Sequence, residues 1–156
     1  MKMTRIAAFT LLFLITALYA LNCSRETRPL AVEFRLARTE PGEGLTEMTF
    51  GPTREKLFLD DEVLIDNTDI ASAAAAEWQG EHIIELIFTG PGKEKLARVT
   101  GQHVTERMGM VVDGRLLSAP RINAAITQGR AVIVGALTEE EARRIAAGIQ
   151  AALTVE

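Results

Sequence analysis

The clearest alternation of apolar and polar positions begins at Ala31. In AVEFRLAR, Val32, Phe34 and Leu36 face one way and Glu33, Arg35 and Arg38 are polar. A period of two predicts a half-buried strand. Residues 39–55, TEPGEGLTEMTFGPTRE, hold Pro41, Gly42, Gly44, Gly51 and Pro52 and read as loop, with a short strand near Met48–Phe50. KLFL is a short strand, and DDEVLIDNTDI is acidic and turn-like around two apolar pairs. ASAAAAEWQ supports two readings. Its alanines favour helix, whereas Gly80 and the strand HIIELIFTG that follows favour a hairpin.

Further on the period changes. After Gly92, Leu96, Val99 and His103 recur on one helical face. RMGMVV is a strand in which Gly109 suggests close approach by another element. Asp113-Gly114 is a two-residue hairpin signal, because both positions tolerate positive φ. Leu116-Leu117 begins the return strand, which stops by Pro120 because proline cannot donate to a ladder. RINAAITQG predicts one or two helical turns closed by Gly129, and AVIVG, ending at Gly135, a buried strand. LTEEEARRIAAGIQAAL is the strongest helix. Thr138 and Glu141 form a capping box over an acidic first turn, and Ala142, Ile145, Ile149 and Leu153 form its inner face. Strands and helices interleave with hairpins, which predicts an α+β fold: an antiparallel sheet with helices packed on one face.

Composition narrows the function. The chain has 156 residues, enough for one domain with a real core. Aromatics make up only 5%, so the core must come from Leu, Ile, Val, Ala and Met. The formal charge is −4; without Lys2 and Arg5, the only charges before Cys23, 15 basic residues face 21 acidic ones, or −6. That balance argues against nucleic-acid binding and against adsorption of the folded part on an anionic membrane.

MKMTR followed by the apolar run Ile6–Leu21 has the n-region and h-region of a secretory signal over residues 1–22. The run is shorter than the roughly 20 residues that span a bilayer comfortably; an uncleaved anchor is the other reading. Cys23, the only cysteine, follows at once and has no intramolecular disulfide partner. ALNC resembles a bacterial lipobox, with Ala20 and Asn22 where leucine and a small residue are usual. The resemblance implies lipidation at Cys23, residues 23–30 as a polar tether, residues 31–156 as the domain, and a location on the periplasmic side of a bacterial envelope.

Candidate chemistry is sparse. Ser118 lacks the G-x-S-x-G elbow of a nucleophile, since Leu116 and Pro120 flank it; it is expected to cap the following helix. His103 is expected to be half-buried and satisfied, and His82 solvated. With no H-x-x-x-H pair and one cysteine, a transition-metal ligand set is lacking. Asp60–Glu62, Asp66 and Asp69 lack calcium-loop spacing, and PGEG and GPG lack that of a phosphate cradle. Met108 and Met110 alternate along a strand as core filling. No catalytic residue and no cofactor are expected.

The C-terminal half carries a composite signature: Thr100 ending a helix, Asp113-Gly114, Ser118-Ala119-Pro120, Ile122, Ile126, Gly129, Gly135, Thr138 and Glu141-Ala142. In that order it resembles the head part of the first periplasmic domain of SecD, a protein-export membrane subunit also found fused as SecDF. VEFRLA and IELIFTGPG resemble earlier strands of the same domain, so the likeness runs from Ala31 to Leu153. It implies the fold and an extracytoplasmic role in handling exported polypeptides or in binding envelope or translocase proteins, through an open sheet edge. SecD sets this domain in a bundle of membrane helices that couples proton flow to export. No apolar span follows Leu153 here, and AALTVE replaces the Gly-x-Leu-Pro that leads toward the next membrane helix, so motor activity is not expected. The alternative is a structural or interaction lipoprotein unrelated to export.

Overall fold

The computed structural model describes residues 27–51 and 54–154. The apolar run Ile6–Leu21 and Cys23 lie outside the described residues. Among the described residues, nine strands and two helices follow in order: β1 (Val32–Arg38), β2 (Leu45–Phe50), β3 (Glu55–Asp60), β4 (Ile65–Asp66), a 3-10 turn (Asn67–Asp69), β5 (Ile70–Trp78), β6 (Glu81–Phe88), α1 (Gly90–Gln102), β7 (Arg107–Val112), β8 (Arg115–Ser118), β9 (Arg130–Val134) and α2 (Glu139–Leu153). Among the described residues no helix is long and apolar enough to cross a membrane.

The fold is α+β and antiparallel, but the strands divide into two sheets rather than one. The larger runs β2-β3-β1-β7-β8, with β4 also on β1; the smaller runs β5-β6-β9. β1 is the centre of the first, and β7 lies between it and β8. β7 contributes to both cores. Its Met108, Met110 and Val112 join Val32 and Phe34 of β1 in the main core. Its opposite face gives Val111 to a second cluster with Ala37, Leu57, Leu59, Leu116 and Ala119. Gly109 permits this: a Cβ there would lie 3.0 Å from Leu59 and 3.3 Å from Leu116. Phe34 and Phe88 meet edge to face at 6.1 Å and join the two sheets, a geometry aromatic rings prefer.

The alanine run is a strand, not a helix. β5 pairs with β6 from Ile70↔Phe88 to Trp78↔Glu81, apart from an irregularity near Ser72, around a turn with positive φ at Gln79 and Gly80. Helix propensity separates most residues by under about 1 kcal/mol each, and the hydrogen-bonded ladder outweighs it. The small side chains have a use in the sheet: Ala73 and Ala75 pack against the main core, and Gln150 of α2 accepts from the Ala73 N–H at 3.0 Å.

α1 begins at Gly90, earlier than its sequence periodicity indicates, because Thr89 caps it by accepting from the Gly92 N–H at 3.0 Å. Leu96 and Val99 are buried. α2 starts at the capping box formed by Thr138 and Glu141, with Ala142, Ile145 and Ile149 buried and Leu153 packed at the edge of the core. The Thr138 N–H and hydroxyl, in that order, hold the Glu141 carboxyl below its ordinary range. A second capping box closes the 3-10 turn: Asp66 accepts from the Thr68 hydroxyl at 2.6 Å, and that bond above all lowers the Asp66 pKa.

Segment 121–129 is irregular, not helical, because its polar groups bond across the fold instead of along a helix. The Ile122 N–H donates to the Glu106 carbonyl and the Ile122 carbonyl accepts from Thr105, both at 2.8 Å. The Ile126 N–H donates to the Thr100 hydroxyl at 2.8 Å. Nor is β9 buried throughout: Ala131 and Ile133 are, while Val132 is 38% exposed.

Gly92 sits where α1 crosses the 3-10 turn, and a Cβ there would lie 2.0 Å from the Asp69 carbonyl oxygen. Gly92→Ala is expected to cost about 1–3 kcal/mol, the range for overpacking. Gly101→Ala, whose Cβ would meet Ala125 at 3.4 Å, is expected to be neutral or stabilising by up to about 1 kcal/mol. Urea denaturation of both variants measures the contrast.

Candidate functional site

The residues that carry chemistry are dispersed. Ser118 is buried at the end of β8, and no helix follows it, so it caps none; the expected cap is corrected here. The return strand stops before Pro120, as expected: β8 ends at Ser118, and only isolated bonds continue beyond it. The Met108 N–H donates to the Pro120 carbonyl at 2.9 Å, and a bridge forms one residue on, Arg107↔Arg121. Pro120 has no N–H to return, so the strand gives way there to an isolated bridge. Ala119 is in the second core and its carbonyl accepts from Arg107 Nε at 3.1 Å.

Asp113 and Gly114 both have positive φ, 48° and 77°, as the tight reversal between β7 and β8 demands. β8 carries one extra residue against β7, since Met110 pairs with Ser118 and Val111 with Leu116. This bulge lets Leu116 enter the second core and Leu117 the main core. Gly129 also has positive φ; it leads into β9 rather than closing a helix. Gly135 allows the end of β9 to cross β8: a Cβ would lie 3.0 Å from the Leu117 carbonyl oxygen.

His103 Nδ1 lies 3.0 Å from Glu106, and His82 faces Glu77 across the β5–β6 hairpin. The acidic stretch serves separate local bonds. Asp60 pairs with Arg38, Asp61 accepts from Thr46, and Asp69 pairs with Lys95 at 2.7 Å. Among the described residues, no group of three or more His, Cys, Asp or Glu side chains could hold a metal ion.

The surface feature that stands out is the outer face of the small sheet. Its inner face, with Ile84, Leu86, Ala131 and Ile133, lies in the main core with residues of both helices. Side chains alternate along strands, so the register puts Ala74, Ala76 and Trp78 of β5, Ile83 and Ile87 of β6, and Val132 and Val134 of β9 on the opposite face, together with Ser72, Glu81, Glu85 and Arg130. Trp78 is 56% exposed and Ile87 38%. A cleft of about 280 Å³ opens between Trp78, Ile83, Val132 and Val134, with Glu77 and Glu85 at its edge. One ion pair, Arg130 with Glu85 at 3.5 Å, crosses the face. The sequence showed β6 as a strand, but a run such as HIIELIF does not reveal which of its faces lacks a cover. The signal that could have found it is the apolar content of both parities, Ile83 and Ile87 as well as Ile84 and Leu86.

The comparisons with known proteins agree with this geometry. A family model described as the SecDF P1 head subdomain matches residues 44–155; β1 precedes the match. A protein translocase subunit SecDF from Thermus thermophilus is 43% identical over 84 residues, which cover 53% of this chain and 11% of that protein. A SecD subunit from Magnetococcus marinus is 41% identical over 71 residues, 46% of this chain and 14% of that one. A crystal structure of SecDF in a super-membrane-facing form superposes with a TM-score of 0.66 and 30% identity over 83% of this chain and 20% of that chain. A structure of SecDF as a membrane component that enhances protein export gives the same TM-score at 28% identity, covering 66% of that chain. The chain spans between about a tenth and a fifth of the length of these curated relatives.

Thr100 is buried, donates to the Leu96 carbonyl at 2.7 Å and accepts from the Ile126 N–H. Thr100→Val keeps the shape and orphans that N–H. A loss of about 1–3 kcal/mol is expected, the cost of a buried unsatisfied donor, measured by chemical denaturation.

Proposed function

The chain belongs to the SecDF P1 head subdomain family, and from that premise we propose that it is a non-catalytic, extracytoplasmic module that assists protein export by binding polypeptide. Residues 1–22 direct it to the bacterial envelope, and acyl chains on Cys23 hold it on the periplasmic side of a membrane. Two or more such chains give stable anchorage where one does not.

The single observation that carries the binding role is the uncovered apolar face of β5-β6-β9. Exposed Trp78, Ile87 and Val132 on one sheet face, with the Arg130–Glu85 pair among them, make the kind of surface that marks an interaction site. It suits an unfolded, extended substrate for a physical reason. Such a chain presents apolar side chains that a flat sheet can accept in many registers, and the end strand β9 offers backbone groups beside them. The scattered chemistry of the rest of the domain suits binding and release better than turnover.

Trp78 is the only tryptophan in the chain, so its emission reports on this face alone. Titration of the full chain with an unfolded secretory precursor is expected to shift that emission to the blue, with photo-crosslinks at positions 87 and 132. Val132→Glu is expected to weaken both at least tenfold with an unchanged melting temperature. Crosslinks to a single folded envelope protein, with none to precursors, would transfer the face to the other reading, an interaction lipoprotein outside export.

A further inference from the structure

The hydrogen-bond phase of the small sheet fixes what its β9 edge presents. The Phe88 N–H donates to the Gly129 carbonyl at 3.0 Å, and the register continues as Leu86↔Ala131 and Ile84↔Ile133. In an antiparallel ladder the backbone groups of every second residue face the partner. Gly129, Ala131 and Ile133 therefore bond to β6, and the N–H and carbonyl groups of Arg130, Val132 and Val134 point away from it. β9 pairs with no strand but β6, and those outward groups have no backbone partner among the described residues. The side chains of the same three residues lie on the outer face. Open backbone groups and accessible side chains thus coincide along one line.

The other sheet ends are guarded. β5 has an irregularity near Ser72, and Gln150 of α2 takes up the Ala73 N–H at 3.0 Å. β8 has its bulge, with Pro120 just beyond it. β2 carries Glu47, paired with Lys56 at 2.8 Å. Bulges, prolines, charges and covering elements keep free edges from pairing with other chains. From Ala131 to Val134, β9 has none of these; its one charge, Arg130 at the first position, is paired with Glu85.

We propose that an exported chain is held as a fourth strand of the small sheet, bonded through its backbone to Arg130, Val132 and Val134. The inference rests on the binding role proposed above and names the class of segment that fits it. That segment is extended, as long as the five residues of β9, and apolar at every second position. It has no proline where its backbone faces β9, because proline has no N–H to give. Its apolar side chains lie beside Val132 and Val134 and continue the outer face by one strand. Main-chain bonds supply affinity and alternate side chains supply what selectivity there is. Such recognition is indifferent to most of a sequence, which suits a carrier of many precursors.

The test uses the full chain and a peptide of alternating valine and threonine with a lysine at each end. Saturation with the peptide is expected to slow solvent exchange of the Val132 and Val134 amide protons at least tenfold. Those of Ala75 and Glu77, which point outward on β5, are expected to exchange as before. Methylation of single backbone nitrogens in the peptide is expected to weaken binding at least tenfold at every second residue and less than twofold between. Slowed exchange at Ala75 and Glu77 instead, or equal effects of methylation at all positions, would overturn the proposal while a blue shift of Trp78 emission still upheld the face. A chain that sediments as a dimer, with Val132 and Val134 protected before any peptide is added, would give the edge to a second copy and overturn it too. Unchanged Trp78 emission with both the peptide and an unfolded secretory precursor would overturn the binding role itself, and the proposal with it.

Discussion

Both helices lie on the same side of the small sheet, and much else follows from that. α1 and α2 join Ile84, Leu86, Ala131 and Ile133 in one core, so the other face of β5-β6-β9 has no element of the described domain to cover it. Burial of one apolar face is the dominant favourable term in forming such a sheet. The second face buries Ile83 but leaves its other large apolar side chains partly in water. Ile87, Val132 and Trp78 stay exposed on it, and the proposed binding role rests on them.

The larger sheet supplies the frame. β7 is buried on both faces and its hairpin, bulge and proline-interrupted extension set β8 and the segment after it. Each irregularity there has a local cause: positive φ at Asp113 and Gly114, the extra residue in β8, and the missing N–H of Pro120.

Much of the architecture was legible in the sequence. β1 showed itself by strict alternation, α2 by its capping box and spacing, and the β7–β8 reversal by Asp-Gly. The failures share a physical origin in long-range contacts. At Ala73–Ala76, where helix and hairpin were both open, the ladder with β6 decided for the hairpin. The helix expected at 121–129 lost to bonds with Thr100, Glu106 and Thr105, which are remote in sequence. Ser118 had no helix to cap for the same reason. The family signature was readable because it lies in turns and caps, where a residue's identity answers to local geometry. The candidate surface was not, since exposure of a strand face depends on where other elements pack.

The most direct measurement of the binding surface is a methyl NMR titration of the full chain with an unfolded secretory precursor. Neighbouring residues serve as internal controls, because Ile83 and Ile84, or Val132 and Ile133, point to opposite faces of one sheet. The account predicts large shifts at the methyls of Ile83, Ile87, Val132 and Val134 and little change at Ile84 and Ile133. Shifts confined to the inner methyls, or to other parts of the domain with the outer face silent, would contradict it.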